Sequence, residues 1–357
     1  MNNIFLKSFR LLLLPFSLLY AIIVICRNYL FDKNYFKSSS FNFPIICVGN
    51  LAVGGTGKSP MVEYLIRILK HPFNIATLSR GYKRKTTGFA IANKFTTALE
   101  IGDEPMQFHL KFPDVIIAVG EERLEAIPQL LQEKPNIDLI ILDDAFQHRS
   151  VKAGLNILLT EHDDLFTRDF FLPTGDLRDQ KSSYKRAEII IITKCPPDLN
   201  EQQKRKIIKE INPLEHQQIF FTSIQYGKPY HIISKEERDI SKADEIFLVC
   251  GIANPKPIKN YILEKAETYY EQIFNDHHIF SIDDLNEIIS QYRNIESESK
   301  IILTTEKDAV RLIKFSAELN ALPFYVLPVA HQFLFNEATV FQETVLSFVQ
   351  NFSQKIA

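Results

Sequence analysis

The segment Ala52-Val53-Gly54-Gly55-Thr56-Gly57-Lys58-Ser59 constrains the fold more than any other stretch of this 357-residue chain. It follows an apolar run over 43–48 and precedes a helical pattern over 61–69. A glycine-rich turn between a strand and a helix is the setting a phosphate-binding P-loop needs. Gly54, Gly55, Thr56 and Gly57 supply a backbone whose N–H groups can close around a phosphate. The helix N-terminus adds its positive end. Lys58 can reach terminal phosphates as a point charge, and Ser59 can ligate Mg²⁺. Pro60 falls in the first helical turn, where its missing N–H costs little. The first position of the motif, usually glycine, is Ala52, which gives up glycine-only conformations and leaves the cradle intact.

The rest of the chain alternates strand and helix patterns. Strands are expected over 43–49, 74–79, 115–119 and 137–142, with helices over 60–70 and 121–133. Two more buried strands are expected over 156–160 and 188–193. This reads as an α/β fold with a parallel sheet core flanked by helices on both faces. A loop and a charged helix fill 193–215, and 220–230 reads as a linker. A second, smaller α/β unit starts at 245–251 and takes in 300–305, a helix from 307 and 324–329. An amphipathic helix over 339–352 ends the chain. The expected division is an N-terminal membrane-associated helix at 1–36, a P-loop core at 37–222 and a smaller C-terminal α/β domain at 223–357.

A net charge of −2 hides a strong asymmetry. The first 99 residues hold 13 Lys and Arg against two acids, Asp32 and Glu63. Such a segment suits an anionic partner: a nucleotide, an anionic lipid or a membrane surface. Within it, 11–26 carries no charge, with Lys7 and Arg10 before it and Arg27, Lys33 and Lys37 after it. The run is shorter than the about 20 residues of a full span. No small-residue cleavage site follows, which speaks against a signal peptide. Basic residues at both ends favour membrane attachment over a buried helix, lying in one leaflet or crossing a thinned bilayer. Cys26, Cys47, Cys195 and Cys250 lie in or beside apolar runs without C-x-x-C spacing, so they read as reduced core residues.

Several short strings carry chemistry. The run 137–142 ends in Asp143 and Asp144, the position from which an acid orients Mg²⁺ beside a P-loop. Strand alternation would point these two carboxylates to opposite faces. Asp103 and Glu104 precede Pro105 at the start of a helix; such an acid serves as an N-cap, and the same position keeps it ionised as a base for a hydroxyl. Arg80 opens a basic loop through 85 suited to phosphate, and 172–179 is a turn bearing Arg178 and Asp179. Asp276-His277-His278 offers a proton relay, with no spacing that supports zinc. Thr304-Thr305-Glu306-Lys307-Asp308 reads as a helix cap.

Together these strings resemble the tetraacyldisaccharide 4′-kinases of lipid A biosynthesis. The likeness rests on 48–60, Leu78-Ser-Arg-Gly-Tyr82, Gly102-Asp-Glu-Pro105, Asp143-Asp-Ala-Phe-Gln-His148, Leu172-Pro-Thr-Gly-Asp-Leu-Arg178, Gly251-Ile-Ala-Asn-Pro255, Asp276-His-His278 and Thr305-Glu-Lys-Asp308. It implies ATP-dependent phosphorylation of the 4′-hydroxyl of a tetraacylated glucosamine disaccharide 1-phosphate. The implied location is the cytoplasmic face of a Gram-negative inner membrane. It further implies that the C-terminal domain closes over the nucleotide. Asp103 matches the family's catalytic base and His277 the histidine that pairs with it. Lys58 and Ser59 match phosphate and Mg²⁺ holders, with Asp143 and Asp144 behind them. Glu104, His148 and Arg178 match residues near the metal or the substrate, and Arg80 and Asp179 are further candidates on the substrate side. Two positions depart from the family pattern: Asp179 stands where glutamate is common, and Ala145 where glycine is common.

Two other classes compete. A GTPase would carry N-K-x-D for guanine, which Thr193-Lys194-Cys195-Pro196 lacks. A membrane-tethered nucleotide sensor would have no need of Asp103 and His277. The expected partners are the acylated disaccharide and the inner membrane surface, not nucleic acid; protein partners stay open.

Overall fold

The computed structural model describes residues 10–354, so Lys7 lies outside the described residues. The chain opens with helix α1 (Leu14–Asp32), whose Pro15 sits in the first turn where no N–H is required. A nine-stranded sheet follows. Its strands are β1 (Ile45–Asn50), β2 (Ile75–Ser79), β3 (Ala90–Ile91), β4 (Ile116–Val119), β5 (Leu139–Asp143), β6 (Leu155–Glu161), β7 (Ile189–Thr193), β8 (Gln218–Tyr226) and a strand from the end of the chain. Its helices are α2 (Lys58–Leu69), α3 (Asp103–Lys111), α4 (Arg123–Glu133) and α5 (Glu201–Ile211). A second sheet holds β9 (Tyr230–His231), β10 (Glu245–Cys250), β11 (Thr268–Ile273), β12 (Lys300–Thr305) and β13 (Phe324–Leu327). Helices α6 (Lys256–Lys265), α7 (Ile282–Arg293) and α8 (Glu306–Leu312) cover it. The chain then returns to the first sheet with β14 (Val329–Phe333) and α9 (Ala338–Gln354).

The first sheet runs β14-β8-β7-β6-β1-β5-β2-β4-β3, and the second β9-β13-β12-β10-β11. The central strands are parallel, and only edge pairs such as β8–β14 and β3–β4 are antiparallel. Ile45 and Cys47 face one core and Ile46 and Val48 the other, so both faces of β1 are covered. That burial explains continuous apolar runs such as the four isoleucines of β7. Helices α4 and α5 contribute Ile127, Leu130, Ile207 and Ile211 to one layer; α2 and α9 contribute Leu65, Leu69, Phe341 and Val345 to the other. Phe247 and Val249 against Ile246 and Leu248 repeat this arrangement in the second sheet.

Three expectations change. The segment expected as a linker at 220–230 is largely strand β8, paired with β7 on one side and β14 on the other. Its polar Thr222 and Ser223 are buried, which obscures the apolar alternation of a strand. Residues 329–354, expected in the C-terminal unit, instead complete the first sheet and its helical layer. Cys26 also differs: it is exposed on α1, while Cys47, Cys195 and Cys250 are buried.

Helix α1 lies against the loop that precedes Arg178. Ser17 Oγ donates to Phe171 O at 2.9 Å and pairs with Thr174 Oγ1 at 2.7 Å. Tyr20 Oη donates to Arg178 O at 3.1 Å, and Asn28 Nδ2 to Asp179 Oδ1 at 2.7 Å. Arg27 donates to Gln147 O, and Arg149 returns a bond to Asn28 O. The opposite face leaves Phe16, Leu19 and Ile23 more than half exposed, so α1 has one docked polar edge and one bare apolar face. The segment Leu11–Asp32 is long and apolar enough to cross a membrane.

Candidate active site

Strand β1 delivers the P-loop, and its parallel neighbour β5 delivers the acids: Val48 pairs with Asp143 in register. Gly54 has φ 116° and Gly57 φ 85°, the left-handed region in which a side chain is strained. Ala52 takes no positive φ, so alanine is tolerated at the first motif position, where its backbone makes a bridge with Leu177. Lys58 opens α2, and its Nζ lies 3.2 Å from Asn50 Oδ1 and 3.7 Å from Asp144 Oδ1.

Asp143 and Asp144 diverge, though not by strand alternation. The strand stops at Asp143, and Asp144 turns off it with φ 50°. Ala145, where the family favours glycine, does not itself take a positive φ. Asp144 binds Arg178 through both guanidinium nitrogens, and Arg178 also donates to Asn50 Oδ1 at 2.6 Å. Burial opposes ionisation of Asp144, but Lys58 and Arg178 outweigh it and hold the carboxyl below its usual range. Asp143 is only 6% exposed. Burial, then the neighbouring Asp144 and Glu104, push it up to about 7. Its Oδ2 accepts from Ser79 at 3.3 Å, while buried Oδ1 has no hydrogen-bond partner among the described residues.

An orphaned buried carboxylate oxygen crowded by two other acids fits a divalent cation. The available donors, Ser59, Asp143, Asp144 and Glu104, are hard oxygens of the kind Mg²⁺ takes.

The second constellation bridges the two sheets. Asp103 opens α3, and His277 follows β11 in a left-handed turn, φ 64°. Although 174 positions apart, His277 Nδ1 and Asp103 Oδ2 lie 3.0 Å from one another. Arg311 of α8 donates to the same Oδ2 at 2.6 Å and also lies 3.0 Å from His277 Nδ1. Lys307 Nζ donates to His277 Nε2 at 3.1 Å, so the imidazole carries its proton on Nδ1 and gives it to Asp103. Burial opposes ionisation of Asp103, but Arg311 and then His277 outweigh it and keep the carboxyl below its usual range. Lys307 also sits 3.9 Å from Glu104 and 3.6 Å from Asp276, which links this cluster toward the acids of the P-loop side. Lys111 of α3 is shared between Glu63 of α2 and Glu306 of α8, a further ion-pair link between the two sheets.

The remaining candidates divide. His148 is partly buried near Asp144, and burial, with Arg123 and Arg80 adding, lowers its pKa to about 4, so it stays neutral. Arg80 is exposed beside it. Asp179 is not brought to the site. It is 1% exposed and occupied by Asn28, Ser183 and Arg186, which makes it the anchor of α1. Aspartate in place of glutamate fits that buried pairing. Asn50, Ser79 and Lys307 lie inside the motifs without a role read from them, and Arg311 and Arg123 lie beyond them; all five matter equally. Arg123 is fully buried near Asp143 and Asp144, with Nε and one terminal nitrogen lacking partners among the described residues. No local string marks it, because its surroundings come from distant strands.

A family model described as tetraacyldisaccharide-1-P 4′-kinase matches residues 9–350. The chain belongs to the tetraacyldisaccharide 4′-kinase family. It is 45% identical over 344 residues to the tetraacyldisaccharide 4′-kinase of Flavobacterium johnsoniae, covering 96% of this chain and 97% of that protein. The Bacteroides thetaiotaomicron protein of the same name is 43% identical, with 95% and 93% covered. Among solved structures, LpxK from Aquifex aeolicus in complex with ATP aligns with a TM-score of 0.74 at 28% identity, covering 96% of this chain and 99% of that one. This kinase therefore phosphorylates an alcohol group of a lipid A precursor at the expense of ATP. The GTPase and sensor alternatives fall with that membership.

Proposed function

We propose that this kinase joins ATP and the 4′-hydroxyl of a tetraacylated disaccharide 1-phosphate in the cleft where Asp103 meets His277. The contact between those two residues carries the reading, because each alone has an ordinary structural explanation. Lys58 and the backbone of 54–59 hold the terminal phosphates, and Arg178, fixed on Asn50 and Asp144, stands beside them. Asp103 Oδ2 is taken by His277 and Arg311, which leaves Oδ1 to receive the substrate hydroxyl. A carboxylate kept ionised can orient that hydroxyl and accept its proton late, as suits a loose phosphoryl-transfer transition state. Until that transfer His277 and Arg311 stabilise the charge on Asp103. Ser59, Asp143, Asp144 and Glu104 would hold Mg²⁺, which neutralises phosphate charge when bound. His148, kept neutral, and exposed Arg80 flank the acceptor side and suit the sugar and its phosphate. The bare apolar face of α1 lies on the cytoplasmic surface of the inner membrane and gives the lipid access to the cleft.

The test uses the full-length protein with ATP, Mg²⁺ and the lipid disaccharide, read by mass spectrometry for one added phosphate. Asp103→Ala and His277→Ala should each lower kcat strongly with ATP affinity nearly intact. Together they should cost little more than the worse single change, because residues acting as a unit are non-additive. Losses that simply multiply, or a silent His277→Ala, would refute the pairing.

A further inference from the structure

Two consecutive carbonyls of the P-loop are held from behind by side chains. Thr193, at the end of β7, donates from Oγ1 to Thr56 O at 2.9 Å. His331, on β14, lies with Nε2 2.8 Å from Gly57 O. Its other nitrogen, Nδ1, lies 3.0 Å from Thr222 Oγ1 on β8. A carbonyl oxygen only accepts, so Nε2 carries the proton, and Nδ1 then accepts from the Thr222 hydroxyl. The ring is 4% exposed, and burial lowers its pKa to about 4, so it is neutral with both nitrogens committed. The packing behind the loop is close: a Cβ at Gly57 would lie 3.0 Å from His331 Cε1 and Nε2.

Peptide planarity converts this support into aim. Fixing the Thr56 carbonyl fixes the Gly57 N–H on the opposite side, and fixing the Gly57 carbonyl fixes the Lys58 N–H. Those N–H groups are the donors of a phosphate cradle. We infer that His331 is a positioning residue of the ATP site, holding the Gly57 carbonyl so that the Lys58 amide faces the phosphates. Thr222 acts through it by donating to Nδ1, which anchors from behind the ring whose tautomer the Gly57 carbonyl sets. The inference rests on the assignment of 54–59 as the ATP site.

The experiment compares steady-state constants of full-length variants, with thermal melts as a folding check. His331→Ala should raise KM for ATP about tenfold or more while KM for the lipid stays within twofold. His331→Gln, whose amide can donate to the same carbonyl, should recover most of the loss. Thr222→Val keeps the shape and removes only the donor to Nδ1. The imidazole then loses its anchor on β8 and can tilt away from Gly57 O, and KM for ATP should rise several-fold. If His331→Ala fails to fold, Thr222→Val decides. An unchanged KM for ATP in folded His331→Ala or Thr222→Val overturns the inference. So does a His331→Gln no better than alanine, or ATP and lipid constants that rise together. Lys58→Ala separates the underlying assignment: unimpaired turnover there removes the ATP site and the inference with it. Lost turnover there beside an unaffected His331→Ala removes the inference alone.

Discussion

Replacing Arg311 with methionine isolates what keeps Asp103 ionised. The guanidinium lies 2.6 Å from Asp103 Oδ2, with the two side chains only 5% and 15% exposed, so solvent screens the pair weakly. An opposite charge this close lowers a carboxyl pKa by about 1–3 units. Burial pushes Asp103 the other way, and without Arg311 only His277 opposes it. The acid limb of kcat should therefore move up by about 1–3 pH units, toward the assay window and at the upper end into it. The sign for stability follows from linkage. A carboxyl depressed in the folded state stabilises above its unfolded pKa of about 3.9, and that stability is lost as pH falls through the folded value. The variant forfeits this contribution at neutral pH, and buried Asp308 loses a partner as well, so it should melt lower than the parent. The assay is kcat from pH 5.5 to 9 at saturating ATP and Mg²⁺ on detergent-dispersed lipid. The parent-to-variant ratio should grow several-fold toward acid, with Arg311→Lys intermediate. A folded Arg311→Met profile that superimposes on the parent after scaling would refute the reasoning.

Asp143, raised to about 7 in the protein alone, must ionise to take a cation. The Mg²⁺ concentration for half-maximal activity should therefore climb as pH falls below about 7, by up to about tenfold per unit; a requirement that stays flat from pH 8 to 6 sinks this. On α1 the two faces should separate. Asn28→Leu removes a bond to a buried carboxylate worth about 1.5–3 kcal/mol and should lower both the melting temperature and turnover on dispersed lipid. It should leave co-sedimentation with vesicles intact, whereas Leu19→Asp with Ile23→Asp should abolish it; the reverse pattern would count against a membrane-facing apolar side.

What the chain discloses in order of residues is what its chemistry keeps local. The P-loop, the acids ending β5 and the acid opening α3 are contiguous strings, and the structure carries each on the expected strand end or helix start. Thr305 likewise caps α8 as its spacing suggests, accepting from Asp308 N at 3.1 Å. Strand β8 was hidden because its covered polar residues serve contacts to β14 rather than solvent. Arg123, Arg311 and His331 gain meaning only from groups far away in sequence, 274 positions in the case of His331 and Gly57. Asp179 misled for the opposite reason: it adjoins Arg178 in the chain, yet consecutive residues can serve different masters, one the site and one the anchor of α1.

The second sheet is connected to the first through two segments that leave side by side, since Tyr226 ending β8 pairs with Val329 opening β14. A body attached at two adjacent points resists twisting about the line between it and its support. The contact between His277 Nδ1 and Asp103 Oδ2 is thereby held to one geometry across the two sheets. The support is itself tied to the phosphate cradle. Val329 N donates to Glu306 Oε2 at 3.1 Å, and His331, two residues further along that strand, reaches Gly57. One strand, β14, therefore holds both an attachment of the second sheet and the carbonyl of Gly57 in the glycine-rich loop.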